Sequence, residues 1–185
     1  MSHHKDITPE SFLACNMGPW RGITHEKWIQ KVKQVGQLPT NVPKEIADAF
    51  EVCLGTIMYG WLYYPLMTVG LSKLYTLRET MARTVCQQRG ASKAKTEKFA
   101  HCIDCMSRHS LIEAKDVDHW QRCRDLRNDW SHPDRQYILP PGHALAAVEA
   151  FVTDARLLFQ KAAVFPQVRP NAAPLQTSRH RVQSE

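Results

Sequence analysis

The chain has 185 residues, 43% of them hydrophobic, which is enough to bury the core of one ordinary domain. Its net charge of +6 at pH 7 permits a polyanionic partner such as nucleic acid without requiring one. Residues 1–6 lead into no apolar stretch, so we expect no secretory signal and a cytoplasmic protein. In that setting the six cysteines are predicted to be reduced thiols rather than a disulfide framework.

Helix start signals organise the first part of the chain, and no sustained two-residue alternation predicts a strand. Thr8-Pro9-Glu10 combines an N-cap, a first-turn proline and a first-turn acid, which predicts a short helix to about Cys15. A second short helix is predicted over residues 25–34, and Asn41-Val42-Pro43 begins a third.

Residues 52–72 carry no charge, and a segment of this length can span a bilayer. Glycines and Pro65 interrupt it, and four aromatic residues lie at its middle, whereas a membrane helix keeps them at its ends. We therefore predict a buried helical hairpin or kinked helix here, and no contact with a membrane.

Pro65 restarts the chain, because proline cannot donate its backbone hydrogen bond. A long helix is then predicted to about residue 88, with Gly90 as its C-terminal cap. Its apolar residues recur every three or four positions. They are Leu74, Leu77, Met81 and Val85.

Three further helices are predicted. The first covers residues 95–109; the second starts at Ser110 or at Asp116 and stops at Pro133. After a loop over residues 134–142, an amphipathic helix covers residues 143–161. We expect the helix that stops at Pro133 to pack against the long helix before it.

These elements predict an all-α bundle of four to five main helices. Residues 1–42 form an N-terminal extension with short helices, and residues 43–164 form the helical domain. Residues 165–185 are proline-containing, polar and poor in apolar side chains, which predicts a disordered tail.

Arg127-Asn128-Asp129-Trp130-Ser131-His132-Pro133 is the segment that carries chemistry. Arginine holds a phosphate with a planar charged fork, and histidine exchanges a proton near neutral pH. A five-residue offset rotates two side chains by about 140° in a straight helix. Pro133 removes this obstacle, because it pushes His132 out of the helical region and lets it approach Arg127.

This segment resembles the motif of the HEPN superfamily, an arginine and a histidine separated by four to six residues, with a polar residue after the arginine. Arg127 matches the arginine, Asn128 the polar residue and His132 the histidine, and the likeness covers about residues 50–160. The resemblance implies a compact helical bundle that dimerises with two motifs facing each other. It also implies a metal-independent ribonuclease, of a toxin–antitoxin or phage-defence type, with an antitoxin or other regulatory partner.

The predicted function is therefore an endoribonuclease that needs no cofactor, acts on RNA as a homodimer and uses Arg127 and His132 as catalytic residues. Asn128, Asp129 and Ser131 are predicted to support them. The alternative is a non-catalytic module of the same type that binds a nucleotide or RNA phosphate, or a protein-interaction domain. Sequence does not separate these, because binding and cleavage use the same residue types.

Other residues have both a functional and a structural interpretation. Glu79 can orient Arg127 or His132 if the two helices pack together, or it can lie on a solvated helix face. A basic patch either contacts RNA phosphates or forms a solvated loop. It comprises Arg89, Lys93, Lys95 and Lys98.

Cys102, Cys105 and His109 share one helical face and can in principle hold zinc. They lie within a helix and have no second ligand pair in view. We therefore interpret them as buried thiols and a surface histidine, and no metal site is predicted.

Overall fold

The computed structural model describes residues 6–15, 20, 22–131 and 139–164. Within these residues the chain forms six α-helices and no strand, which confirms the all-α prediction. The helices are α1 (His25–Val35), α2 (Lys44–Tyr59), α3 (Pro65–Gln88), α4 (Phe99–Arg108), α5 (Val117–Trp130) and α6 (Pro141–Val164). The predicted tail, and the predicted stop at Pro133, lie outside the described residues.

The central element is α3, which packs against α2, α4, α5 and α6. Its apolar stripe explains this position, because Leu74, Met81 and Val85 are fully buried. The predicted packing of the motif helix, α5, against the long helix is confirmed. Gly90 follows the end of α3 with a φ of 84°, a left-handed conformation that glycine adopts without strain.

The first helix lies within the predicted N-terminal extension, yet its apolar face belongs to the common core. Trp28 and Val32 are fully buried, and the indole Nε1 of Trp28 donates a 3.2 Å hydrogen bond to the carbonyl of Ile57 in α2. The face of α1 therefore packs on the bundle as the other helices do.

The helix predicted from Thr8 to Cys15 is wrong, because turns occupy this segment. The backbone N–H of Ser11 donates to Thr8 Oγ1 at 3.2 Å, and that of Thr8 donates to Ser11 Oγ at 2.9 Å. This reciprocal pair has the form of a capping box around the predicted N-cap Thr8. The predicted N-cap is therefore present, although the residues after it form turns instead of a helix.

The helix predicted over residues 95–109 is divided into a single 3-10 turn, Ala94–Thr96, and α4. The break lies at Lys98, whose backbone is extended, with a φ of −98° and a ψ of 137°. The Arg83 guanidinium donates to the carbonyls of Thr96 and Glu97 at 3.0 and 3.3 Å. These hydrogen bonds give partners to carbonyls beside the break, where the helix does not continue.

Two other boundaries also differ. The alternative that began α5 at Ser110 is wrong, since α5 begins at Val117 directly after Asp116. The last helix begins at Pro141 rather than at residue 143, since a first-turn proline loses no helical hydrogen bond.

The uncharged segment forms the hairpin between α2 and α3, as predicted, although Val52, Tyr59 and Val69 are exposed rather than buried. Among the described residues, no helix combines the length and apolar character needed to cross a membrane. Gly70 lets the two helices approach closely: a Cβ atom there would lie 2.6 Å from Ile57 Cγ1 and 3.1 Å from the Cys53 carbonyl oxygen.

We expect Gly70→Ala to lower the free energy of unfolding by about 1–3 kcal/mol, because the added methyl group overpacks the contact between α2 and α3. Gly55→Ala in the middle of α2 is the matched control, since a Cβ there meets nothing within 4 Å. It should raise the free energy of unfolding by up to about 1 kcal/mol, the difference in helix propensity. Urea unfolding measures both, and equal effects of the two substitutions would contradict the close contact.

Candidate functional site

Arg127 is held at the end of α5 by Glu79 of α3. Its Nη2 atom lies 2.9 Å from Glu79 Oε2, and Arg83 Nη2 donates to Glu79 Oε1 at 2.7 Å. The Glu79 side chain is only 8% exposed, whereas the two arginines are each about one third exposed. One buried carboxylate thus anchors two guanidinium groups whose outer parts reach solvent.

The spacing of residues along the two helices explains how they meet. Tyr75 and Glu79 lie one turn apart on α3, and Arg127 and Trp130 lie about one turn apart on α5. Trp130 packs edge-on against Tyr75 with ring centroids 5.5 Å apart, and Arg127 meets Glu79. The aromatic contact therefore fixes the antiparallel register that brings arginine and carboxylate together.

The residues after Arg127 hold it further. Arg127 Nη1 donates a 3.0 Å hydrogen bond to the side-chain oxygen of Asn128, and Ser131 Oγ donates to the Arg127 carbonyl at 2.8 Å. Asp129 is half-buried. His132 lies outside the described residues, so its predicted approach to Arg127 stays a prediction.

Arg83 links the anchored pair to the basic loop. While its Nη2 contacts Glu79, its Nε and Nη2 also donate to the carbonyls of Thr96 and Glu97. The same loop carries Lys93, Lys95 and Lys98, and all three side chains are exposed. The lysines therefore lie on a segment that is hydrogen-bonded to Arg83, one of the two arginines that Glu79 binds.

Arg89 differs from the three lysines. Its Nη2 donates to the carbonyls of Lys161 and Ala162 at 3.4 and 3.2 Å. These carbonyls lie in the last turn of α6, where an arginine side chain commonly completes the hydrogen bonding of a helix end. The structure thus gives Arg89 a role in fastening α6.

The solvated-face interpretation of Glu79 is wrong, because this residue is 6% exposed, and the neighbouring Arg78 is also buried, at 2% exposed. The Arg78 Nε donates to Asp154 Oδ2 of α6 at 2.8 Å, and its guanidinium lies over the rings of Tyr75 and Phe151 at 5.1 and 5.4 Å. Cation–π contact and an ion pair together accommodate this buried charge.

Sequence reasoning missed a second cluster, formed where α5 and α6 meet Arg78. His119 Nε2 lies 2.9 Å from Asp154 Oδ1 and 3.8 Å from Cys123 Sγ. The hydrogen bond to the Asp154 carboxylate raises the pKa of His119 to about 10, so the imidazole is protonated at neutral pH. The available signal was the His119 and Cys123 spacing of one helical turn, together with an acid, Asp154, one turn from the apolar Phe151 and Leu158 of α6.

No family model, curated protein or solved structure matches this chain.

The cysteines of α4 form a buried group with Cys86. Cys86 Sγ donates to the Cys102 carbonyl and Cys102 Sγ donates to the Thr96 carbonyl, each at 3.4 Å. Cys105 is also buried, whereas His109 is exposed. The structure thus separates the thiols of α4 from the histidine that would have completed a zinc site with them.

Proposed function

We propose that this protein is a metal-independent endoribonuclease of HEPN type, with Arg127 and His132 as its catalytic residues. One observation carries the proposal: Glu79 anchors Arg127 from beneath while about a third of the arginine side chain stays open to solvent. An arginine whose position is fixed before the substrate arrives is the arrangement that electrostatic catalysis requires.

The charge balance of the anchor favours an anionic ligand. Two guanidinium groups share the carboxylate of Glu79, so these three side chains together carry a net positive charge. The lysine loop fastened to Arg83 adds exposed positive charge of the kind that contacts a nucleic-acid backbone. A phosphodiester bound at Arg127 would meet this positive charge.

The proposed reaction needs no metal, because RNA carries its own nucleophile. His132 removes the proton from the ribose 2′-hydroxyl, and the 2′-oxygen attacks the adjacent phosphorus. Arg127 stabilises the negative charge that builds on the non-bridging oxygens. The 5′-oxygen leaves with a proton, and the products are a 2′,3′-cyclic phosphate and a 5′-hydroxyl end.

The reaction needs an acid as well as a base, and the motif offers one histidine in each copy of the chain. We therefore propose a homodimer in which a second His132 protonates the leaving oxygen. The resemblance favours such a pairing of motifs, a toxin or phage-defence setting and an antitoxin or other regulatory partner.

The test is incubation of purified protein with single-stranded RNA in excess chelator, with circular dichroism to confirm that the protein stays folded. We expect cleavage to 2′,3′-cyclic phosphate products, and no cleavage of DNA of the same sequence, which lacks the 2′-hydroxyl. Light scattering should report twice the 21.2 kDa chain mass. RNA binding without cleavage would instead support the non-catalytic phosphate-binding alternative.

A further inference from the structure

We propose that His119, Cys123 and Asp154 form a zinc site that joins α5 to α6. Their ligand atoms, the imidazole Nε2, the thiol Sγ and a carboxylate oxygen, all lie within 4.8 Å of one another. Nitrogen, sulfur and oxygen donors from these side chains are the set that Zn²⁺ takes in proteins.

The separations between the ligand atoms fit one ion. With ordinary zinc bond lengths, a tetrahedral ion separates nitrogen from oxygen by roughly 3.4 Å and nitrogen from sulfur by about 3.6 Å. The corresponding distances are 2.9 Å between His119 Nε2 and Asp154 Oδ1, and 3.8 Å between His119 Nε2 and Cys123 Sγ. Shifts of about half an ångström or less would bring these two separations to tetrahedral values, and the third, from Cys123 Sγ to an Asp154 oxygen, is within 4.8 Å.

The same three residue types occur in nucleophilic triads, but the geometry here differs. A triad uses both ring nitrogens of its histidine, one toward the nucleophile and the other toward the acid. Here a single nitrogen of His119 faces both Cys123 and Asp154. Three donor atoms that converge on one point are an arrangement for a shared ion rather than for proton relay.

Arg78 completes the surroundings of the proposed ion. It binds Asp154 through Oδ2, which leaves Oδ1 directed toward His119. Ligating carboxylates and histidines are commonly fixed by such outer hydrogen bonds. Arg78 also donates to the carbonyl of Ala147 at 3.3 Å, so its own position is set by α6.

Solvent can reach the proposed site beside His119, and an ion bound there would have one coordination position left for a further ligand. The His119 side chain is 38% exposed, whereas Asp154 is 10% exposed. Three protein ligands and one open position, filled by water, resemble a zinc site that is not closed. Because its ligands come from two helices that both pack on α3, the ion would act as a cross-link between them.

Cobalt provides the direct probe, because tetrahedral Co²⁺ absorbs visible light and a thiolate ligand adds a near-ultraviolet charge-transfer band. One equivalent of Co²⁺ should give both signals, and Zn²⁺ should remove them because it binds more tightly. Cys123→Ser should abolish the charge-transfer band, and His119→Gln should weaken Co²⁺ binding by more than about 10-fold. His109→Gln and Cys105→Ser, the controls for the α4 cysteines, should leave both signals in place.

A second measurement uses the parent protein and so does not depend on whether a variant folds. Zn²⁺ should raise the urea midpoint of unfolding of the parent, because an ion that binds the folded protein stabilises it, and excess chelator should reverse the shift. An unchanged midpoint at saturating Zn²⁺ would count against the site. Absence of a cobalt signal in the parent, or an unchanged signal in folded Cys123→Ser, would overturn the site. RNA cleavage does not enter either measurement, so the ribonuclease proposal can fail without affecting the zinc proposal.

Discussion

Arg127→Ala and His132→Ala should each lower the rate of RNA cleavage by roughly 10²–10⁴-fold, the range expected for loss of a charge-stabilising or proton-transferring group. Both variants should keep the helical circular dichroism signal and the dimer mass of the parent. The reason differs between them: the first loses the cation aimed at the phosphate, and the second loses the group that moves the proton.

A graded series tests whether the anchoring of Arg127 matters as well as its charge. Arg127→Lys should stay impaired, because a lysine lacks the planar fork that can contact Glu79 and a phosphate at once. Glu79→Gln should lower the rate by up to about 10²-fold, because Arg127 is then held less firmly. Its main effect should fall on kcat rather than on KM, which would mark Glu79 as a positioning residue.

Arg124→Ala is the matched control for these variants. Arg124 lies one turn before Arg127 on α5, has about the same exposed fraction, and pairs with the exposed Asp125 instead of Glu79. Its removal should change the rate little. A rate that falls equally for Arg124→Ala and Arg127→Ala would mean that general positive charge, rather than an anchored arginine, drives the reaction.

Asp154→Ala should lower the free energy of unfolding by about 3–5 kcal/mol, because it leaves the buried guanidinium of Arg78 without its counter-charge. Arg78 is 2% exposed and cannot recover its hydration while the fold is intact. A loss of this size is a large part of the total stability of an ordinary domain, so unfolding should begin at much lower urea concentration.

The two partners of this pair are not equivalent. Arg78→Leu should cost less than Asp154→Ala, because Asp154 keeps the imidazolium of His119 as a partner. The double variant Arg78→Leu/Asp154→Leu should recover part of the loss, since apolar groups can replace a buried ion pair at little cost. Urea unfolding with excess chelator present measures all three without a contribution from bound metal.

Asp48→Ala is the control for Asp154→Ala, because it removes one partner of an ion pair that is exposed rather than buried. Asp48 pairs with Lys44 on the surface of α2, and solvent screens an exposed pair of this kind so that it contributes little to stability. If Asp154→Ala cost no more than Asp48→Ala, the buried pair would not stabilise the fold in the way proposed.

Periodic apolar residues and proline made most helices predictable from the sequence. The long stripe of α3 and the hairpin around Pro65 depend on spacing within one segment, which the sequence displays directly. The break in the helix predicted over residues 95–109 was not predictable in this way, because it involves contacts between residues far apart in the sequence. Arg83 donates to the carbonyls of Thr96 and Glu97, beside the break in the predicted helix, across 13 and 14 positions, and no local pattern reports such a contact.

The residues of the candidate site also divide into those that a local pattern predicts and those that depend on how the helices pack. Arg127 and Asn128 could be recognised because they are neighbours in a motif, and Glu79 could be named only as one of two possibilities. Choosing between them required the register of α3 against α5, which Tyr75 and Trp130 set from 55 positions apart. The His119 cluster was not predicted for a similar reason, since Asp154 lies 35 positions from His119.

Arg78 and Glu79 are consecutive residues, yet they serve different neighbours. Successive side chains on a helix are rotated by about 100°, so Arg78 faces Asp154 of α6 while Glu79 faces Arg127 of α5. The order of Arg78 and Glu79 in the sequence therefore decides which helix each side chain pairs with. The double substitution Arg78→Glu/Glu79→Arg would keep composition and net charge. It would nevertheless set acid against acid on one side of α3 and arginine against arginine on the other.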